Sequence, residues 1–220
     1  MKNISKNHFE LKNAQDMKIL CGIDEVGRGC LAGPVVTAAV TLKSTRKNSL
    51  IKDSKLLQEN QLEKAYNWLL KNSVFAVSVV DHQAIDRHNI YKATQISMCR
   101  AYYQLCALTP ERPPTVVLVD AVKLPLACEV ISMFKGETES ISIAAASIVA
   151  KVTRDRIMKR LSTHFPLYRL EQHKGYATKA HYDALVAHGK SPIHRLSFLK
   201  KFENSQSLDL HEQLELFDHE

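Results

Sequence analysis

Short apolar runs alternate with longer stretches of three-to-four spacing along most of this chain. Ile19 to Asp24 and Val35 to Leu42 are apolar or β-branched runs bounded by glycine, proline and charge, the pattern of buried strands. Val74 to Val80 and Thr115 to Val119 read the same way, and Val130 to Phe134 supplies a further strand. Between them the spacing is helical. Leu62, Ala65 and Leu69 share one stripe within Leu56 to Lys71, and Ile90, Ala93, Ile96, Ala101 and Leu105 share another within Ile90 to Leu108. The longest predicted helix spans Ser142 to Phe165, with Ile148, Val152, Met158, Leu161 and Phe165 on its stripe. A last one runs from Lys179 to His188 and stops at Gly189. Strands alternating with helices predict an α/β fold whose sheet is covered on both faces.

Composition narrows this picture. With 220 residues, 45% hydrophobic and 24% charged, the chain is able to bury a core as one domain. No internal repeat or long low-complexity linker divides it. The expected partition is a polar N-terminal extension (residues 1–17), a single body (18–202) and an acidic, flexible C-terminal tail (203–220). The net charge of +7 is uneven, because the tail holds six acids and no lysine or arginine, which leaves about +13 on the body. A body this basic attracts polyanions such as nucleic acid. The five cysteines are odd in number and lack Cys-x-x-Cys spacing, so they read as reduced thiols. No secretory signal or run of roughly 20 apolar residues is evident, and a cytoplasmic protein without membrane contact is expected.

The candidate chemistry lies where strands end. Asp24-Glu25 closes an apolar strand and is followed by Gly27-Arg28-Gly29, and Asp120 closes Val116-Val117-Leu118-Val119. In α/β sheets the C-terminal strand ends are where sites are built. Lys135-Gly136-Glu137 adds a further acid beside small backbone. A set of carboxylate oxygens suits Mg²⁺ or Mn²⁺ rather than zinc. Two such ions about 3.5 to 4 Å apart activate a water and stabilise the leaving oxygen of a phosphodiester. Each acid alone reads better as a solvated strand terminus than as a catalytic group; it is their matching contexts that favour a site.

These residues belong to longer blocks: Gly22 to Val36, Asp53-Ser54-Lys55, Val119-Asp120, Ile143 to Asp155, His173-Lys174-Gly175-Tyr176, and Pro192 to Phe198. In order and content they resemble the type 2 ribonucleases H, and bacterial ribonuclease HII in particular. The resemblance implies an RNase H-like fold, with a mixed central sheet flanked by helices and a helical C-terminal extension. It implies an endonuclease that hydrolyses the RNA strand of RNA/DNA hybrids and cuts at single ribonucleotides in duplex DNA, leaving 5′-phosphate and 3′-hydroxyl ends, in DNA repair and replication. By the family pattern Asp24, Glu25 and Asp120 are the first three metal-binding catalytic acids. The fourth is Glu137, where aspartate is usual; Asp155, about 20° from Ile148 on a helical wheel, competes for that role.

A ribonucleotide differs from its neighbours by one 2′-hydroxyl. Gly27, Arg28 and Gly29 offer main chain that a ligand is able to approach closely, and Tyr176 resembles the family's tyrosine that packs on the nucleotide beside the cut. Lys55, Lys151, Lys174 and Arg195 sit in matched blocks outside apolar stripes and are expected on phosphates. Leu56, Cys30 and Ala121 depart from the family's usual lysine, proline and glycine.

In the tail, Gln213, Leu214, Leu216 and Phe217 form Gln-Leu-x-Leu-Phe, which resembles the peptide that docks bacterial repair enzymes on the sliding clamp. A small amphipathic helix folded back on the body is the plainer alternative. No feature demands a dimer, so a monomer is expected. The competing functional readings are another RNase H-like nuclease, or a non-catalytic hybrid-binding module whose acids are structural.

Overall fold

The computed structural model describes residue 10 and residues 18–44, 49–134 and 136–200. The tail with Gln213, Leu214, Leu216 and Phe217 lies outside the described residues, as does nearly all of the N-terminal extension. Strand β1 (Leu20–Val26) runs through the middle of a five-stranded sheet ordered β3-β2-β1-β4-β5. β2 (Val35–Leu42) and β3 (Ser73–Val80) pair antiparallel on one side, whereas β4 (Val116–Asp120) and β5 (Glu129–Met133) pair parallel on the other. The sheet is mixed, as expected.

Helices α1 (Glu59–Asn72), α2 (His82–His88), α3 (Ile90–Leu108), α4 (Gly136–Glu139), α5 (Ile141–His164), α6 (Leu170–His173) and α7 (Lys179–His188) surround it. One face packs Val36, Ala38 and Val40 against Leu62, Ala65 and Leu69 of α1 and the apolar half of α5. The other packs Cys21, Ile23 and Ala39 against Met98, Ala101 and Leu105 of α3. This division follows from the alternation of side chains along β1 and β2.

Helix α5 is the axis of the molecule. Every residue from Ile141 to Ala150 is buried, so this half is apolar all round, as an enclosed helix must be. It crosses β1 so closely that a Cβ on Gly22 would stand 2.1 Å from the carbonyl carbon of Ser142. Beyond α5, a smaller core of Leu31, Met158, Tyr168, Leu170, Leu185 and Ile193 ties α6, α7 and the following segment to the sheet.

Two local departures from the expected pattern have clear causes. The first helix begins at Glu59, because the Asp53 side chain accepts the Lys55 N–H at 2.9 Å and draws Ser54–Leu56 into a separate 3₁₀ turn. Helix α2 was not expected: in His82–His88 only Ile85 is buried, too little to print an apolar stripe, and the Asp81 cap on Ala84 starts it instead.

Candidate active site

The parallel pairing of β1 with β4 sets up the site. Its register runs from Leu20↔Val116 to Ile23↔Val119 and brings Asp24 and Asp120 to adjacent strand ends on the face that α5 covers. Asp24 is buried there, 5% exposed, and its Oδ1 accepts the Glu25 N–H at 2.8 Å. Asp120 Oδ1 faces the Gly136 N–H at 3.3 Å, at the start of the short helix α4 that carries Glu137. Glu137 Oε2 accepts from the Ser147 hydroxyl at 3.2 Å, and the Ser54 hydroxyl lies 2.6 Å behind Ser147. Its other oxygen pairs with Lys55 Nζ at 3.0 Å. Four acids expected from the sequence therefore occupy one end of the sheet.

Their electrostatics are unbalanced. Burial, then the charges of Glu25 and Glu137, push the Asp24 carboxyl well above its ordinary range. Burial also raises Glu25, against the opposing pull of Arg28, and the Asp120 charge adds to the rise. Glu137 is raised by burial and by a hydrogen bond shared with Asp53, while Lys55 pulls it back. Glu25 Oε2 is buried with no hydrogen-bond partner. An orphaned carboxylate oxygen among mutually destabilised acids fits a hard divalent cation, because bound positive charge relieves all of them together. Among the described residues no three of these groups converge tightly enough to hold one ion as they stand, so a cation would have to draw them inward. Asp155 stands apart from this set, half-buried and paired with Lys151 at 2.9 Å.

A cleft of about 470 Å³ opens above the acids, lined by Glu25, Gly27, Arg28, Gly29, Lys55, Glu137, Ser147, Lys151 and Tyr176. The two glycines differ. Gly27 has φ of 99°, and a Cβ there would stand 2.1 Å from Arg154 Nε, so the fold itself demands glycine. A Cβ on Gly29 would meet nothing within 4 Å. Tyr176, 38% exposed, pairs its backbone with Cys30, and the Arg154 guanidinium lies 5.6 Å from its ring. Lys174 lines an adjoining hollow between α1 and α5 together with Arg156 and Lys159.

Arg195 corrects an expectation. It is fully buried, and its guanidinium donates to the carbonyls of Gly27 (2.7 Å), Arg28 (2.8 Å) and Gly33 (2.9 and 3.0 Å). No phosphate reaches it; it is the frame of the glycine loop. Burial pulls its pKa down to about 10, which still leaves it charged at neutral pH. Arg154, not singled out in the sequence, does the same for the other side of that loop through the carbonyls of Pro34 (2.9 Å), Ala32 (3.2 Å) and Lys174 (2.8 Å). Ser147 was also overlooked; its signal is a hydroxyl set between Ala144-Ala145-Ala146 and Ile148-Val149-Ala150 in the buried half of α5.

The family model for Ribonuclease HII matches residues 21–201. A ribonuclease HII of Caldicellulosiruptor bescii is 42% identical over 200 residues, covering 89% of this chain and 95% of its own. One of Bacillus thuringiensis is 48% identical over 180 residues, covering 81% and 68%. Among solved structures, ribonuclease H2 of Pyrococcus horikoshii superposes with a TM-score of 0.68 at 25% identity, covering 85% of this chain and 98% of its own. The Archaeoglobus fulgidus RNase HII, solved in complex with PCNA, gives 0.64 at 25% identity over 81% and 94%. Bst-RNase HIII, solved with Mn²⁺, gives 0.65 at 20% identity over 82% and 67%, and so resembles this chain in fold.

Proposed function

The chain belongs to the ribonuclease HII family and is thus a divalent-metal-dependent endonuclease acting on the RNA strand of RNA/DNA hybrids; from that premise we propose that it also cuts at single ribonucleotides embedded in duplex DNA, using Asp24, Glu25, Asp120 and Glu137. The observation that carries the reading is that Asp24 and Asp120 end adjacent strands beside Glu25 and Glu137, which line one cleft together with Gly29 and Tyr176. Two Mg²⁺ or Mn²⁺ ions held by these carboxylates would supply an activated water and neutralise charge on the cleaved phosphodiester.

The remaining residues have separable duties. Lys55, paired with Glu137 yet largely exposed, is poised to exchange its carboxylate partner for a phosphate when metal arrives. Arg28, Lys151 and Lys174 contribute cations along the substrate path. The open space over Gly29 admits a ribose to the loop's main chain, where a backbone amide or carbonyl reads the 2′-hydroxyl. Tyr176 stacks on the adjoining nucleotide and favours an RNA-to-DNA junction. Asp155 anchors Lys151 and is not a metal ligand in this reading.

The wider proposal takes residues 18–202 as the catalytic body of a cytoplasmic monomer, between a polar extension (1–17) and an acidic tail (203–220). Among the described residues no helix is long and apolar enough to cross a membrane. Gln213, Leu214, Leu216 and Phe217 dock on the replication clamp, a role supported by their motif and by the PCNA complex of the Archaeoglobus relative.

The deciding assay uses a duplex carrying one ribonucleotide, with and without Mg²⁺ or Mn²⁺. Wild type should cleave it only with metal, and Asp120→Asn and Glu137→Gln should bind but not cleave. An active Glu137→Gln beside an inactive Asp155→Asn would reassign the fourth acid. Gly29→Ala should melt like wild type yet lose cleavage at the single ribonucleotide; full activity would end the reading of the open loop.

A further inference from the structure

Tyr176 follows two successive left-handed residues, Lys174 at φ 51° and Gly175 at φ 81°. Such backbone is costly and persists only where its surroundings hold it. Arg154 Nη1 grips the Lys174 carbonyl at 2.8 Å, the Gly175 N–H donates to His173 Nδ1 at 3.2 Å, and the Leu31 N–H donates to the Gly175 carbonyl at 2.8 Å. The Tyr176 carbonyl accepts from His181 Nδ1 at 2.9 Å.

His181 is fully buried, and its Nε2 lies 3.0 Å from Nε2 of His194, which is 1% exposed. His194 Nδ1 in turn receives the Ser191 N–H at 3.0 Å and the Ser191 hydroxyl at 2.8 Å. His173 stacks on His181 with ring centres 4.4 Å apart, and the Tyr168 ring lies 5.0 Å from that of His194.

The partners leave one protonation pattern. A carbonyl only accepts, so His181 carries its proton on Nδ1 and presents a bare Nε2. A main-chain N–H only donates, so His194 is bare on Nδ1 and carries its proton on Nε2, aimed at His181. A second proton on either ring would set donor against donor in a buried contact. The pair runs in one direction, from the Ser191 amide to the Tyr176 carbonyl. It also clasps the glycine loop from both sides, because Tyr176 bridges to Cys30 and His194 bridges to Ala32.

We propose that His181 and His194 are positioning residues, a neutral pair of opposite tautomers that fixes the main chain at Tyr176 and thereby sets how well the cleft distinguishes a lone ribonucleotide from a continuous hybrid. The proposal rests on the reading of Tyr176 given above. Neither histidine touches substrate.

The test compares steady-state cleavage of a single-ribonucleotide duplex and a continuous RNA/DNA hybrid by wild type, Tyr176→Ala, His181→Gln and His181→Asn. Asparagine keeps a donor near the Nδ1 position and glutamine does not. His181→Gln should lower kcat/KM on the single ribonucleotide about tenfold, chiefly through KM, the scale of one hydrogen bond. It should stay within about twofold on the hybrid, and His181→Asn should recover most of the loss. Equal losses on both substrates, or no rescue by asparagine, would reduce the pair to scaffolding. Tyr176→Ala should shift the same ratio. If it does not, the recognition reading of Tyr176 falls and the relay with it; if it does while His181→Gln is silent, the relay alone falls. Ring ¹⁵N shifts provide a check that survives poor folding of a variant: wild-type His181 should report Nδ1–H and His194 Nε2–H, and the reverse pattern overturns the proposal.

Discussion

The acid cluster and the loop that faces it are built on opposite principles. At the acids, burial and like charge leave Asp24, Glu25 and Glu137 all pushed toward protonation, and one Glu25 oxygen has no partner. Around the loop, two fully buried arginines and two buried histidines have their polar atoms answered by carbonyls, amides and each other. The unsatisfied region is where a mobile cation and a reacting phosphate belong, since a site saturated with internal bonds has no use for a ligand. The saturated region is where a fixed shape belongs. A loop proposed to read one 2′-hydroxyl tolerates little movement, and the paired buried charge there gives it rigidity.

The largest expected effect comes from relieving the unsatisfied side. Asp24→Asn should reduce metal-dependent cleavage on the order of a thousandfold, the scale of a lost transition-state contact to charge. In chelator the same variant should melt at a higher temperature than wild type. The folded state holds a raised carboxyl pKa, so its stability is greatest below the ordinary carboxylate range and is lost as pH rises through the raised value. Removing the charge removes that loss. A lower melting temperature for Asp24→Asn at pH 8 would contradict the contrast between the two regions.

Breaking the satisfied side should cost stability before chemistry. Arg195→Ala strands three carbonyls and should destabilise the fold by about 4 kcal/mol in urea titration. Arg195→Gln, which removes the charge, should leave the salt dependence of substrate binding unchanged. A reduction of that slope by about one would mean that Arg195 meets a phosphate after all.

Acid separates the regions by sign. Burial, with the nearby His181, holds His194 down to about 4 and lowers His181 too. A depressed histidine contributes stability that is present above its unfolded value near 6.5 and lost as pH falls through that range. For His194 this amounts to roughly 3 kcal/mol between pH 6.5 and 4. The acids move the other way in the same experiment. Melting in chelator across pH 4 to 8 should therefore show a falling acid limb, flattened in His194→Asn, and a falling alkaline limb, flattened in Asp24→Asn. Identical profiles for both variants would erase the distinction.

What the sequence made legible follows the same line. Strands and long helices print themselves as apolar periodicity, so β2, α3 and α7 lie at Val35–Leu42, Ile90–Leu108 and Lys179–His188 as expected. Asp24, Glu25 and Asp120 stood out because they close apolar runs, whereas Glu137, behind Lys135-Gly136, was singled out by the family resemblance. The buried arginines and histidines were not legible, because their partners are remote: Arg195 reaches back 168 residues to Gly27. A charged residue in a local window looks like surface, and only the assembled fold shows that carbonyls surround it.

The smallest effect concerns the turn that follows Asp120 on the acid side. Ala121 follows Asp120 with φ of 49°, a left-handed conformation that costs a residue with a Cβ about 1 kcal/mol, and it holds its place by donating to the Met133 carbonyl at 3.0 Å. The family's usual glycine would adopt it freely. Ala121→Gly should therefore raise the melting temperature by about 2 °C, the shift expected for somewhat under 1 kcal/mol in a chain of this size. Cleavage should stay within about twofold, because the Asp120 carboxylate is placed by β4 and by the Gly136 amide, and Ala121 only relieves its own backbone. An unchanged or lower melting temperature would show that the strain is absorbed elsewhere, and a large change in rate would show that Asp120 is aimed by its neighbour's backbone as well as by its strand.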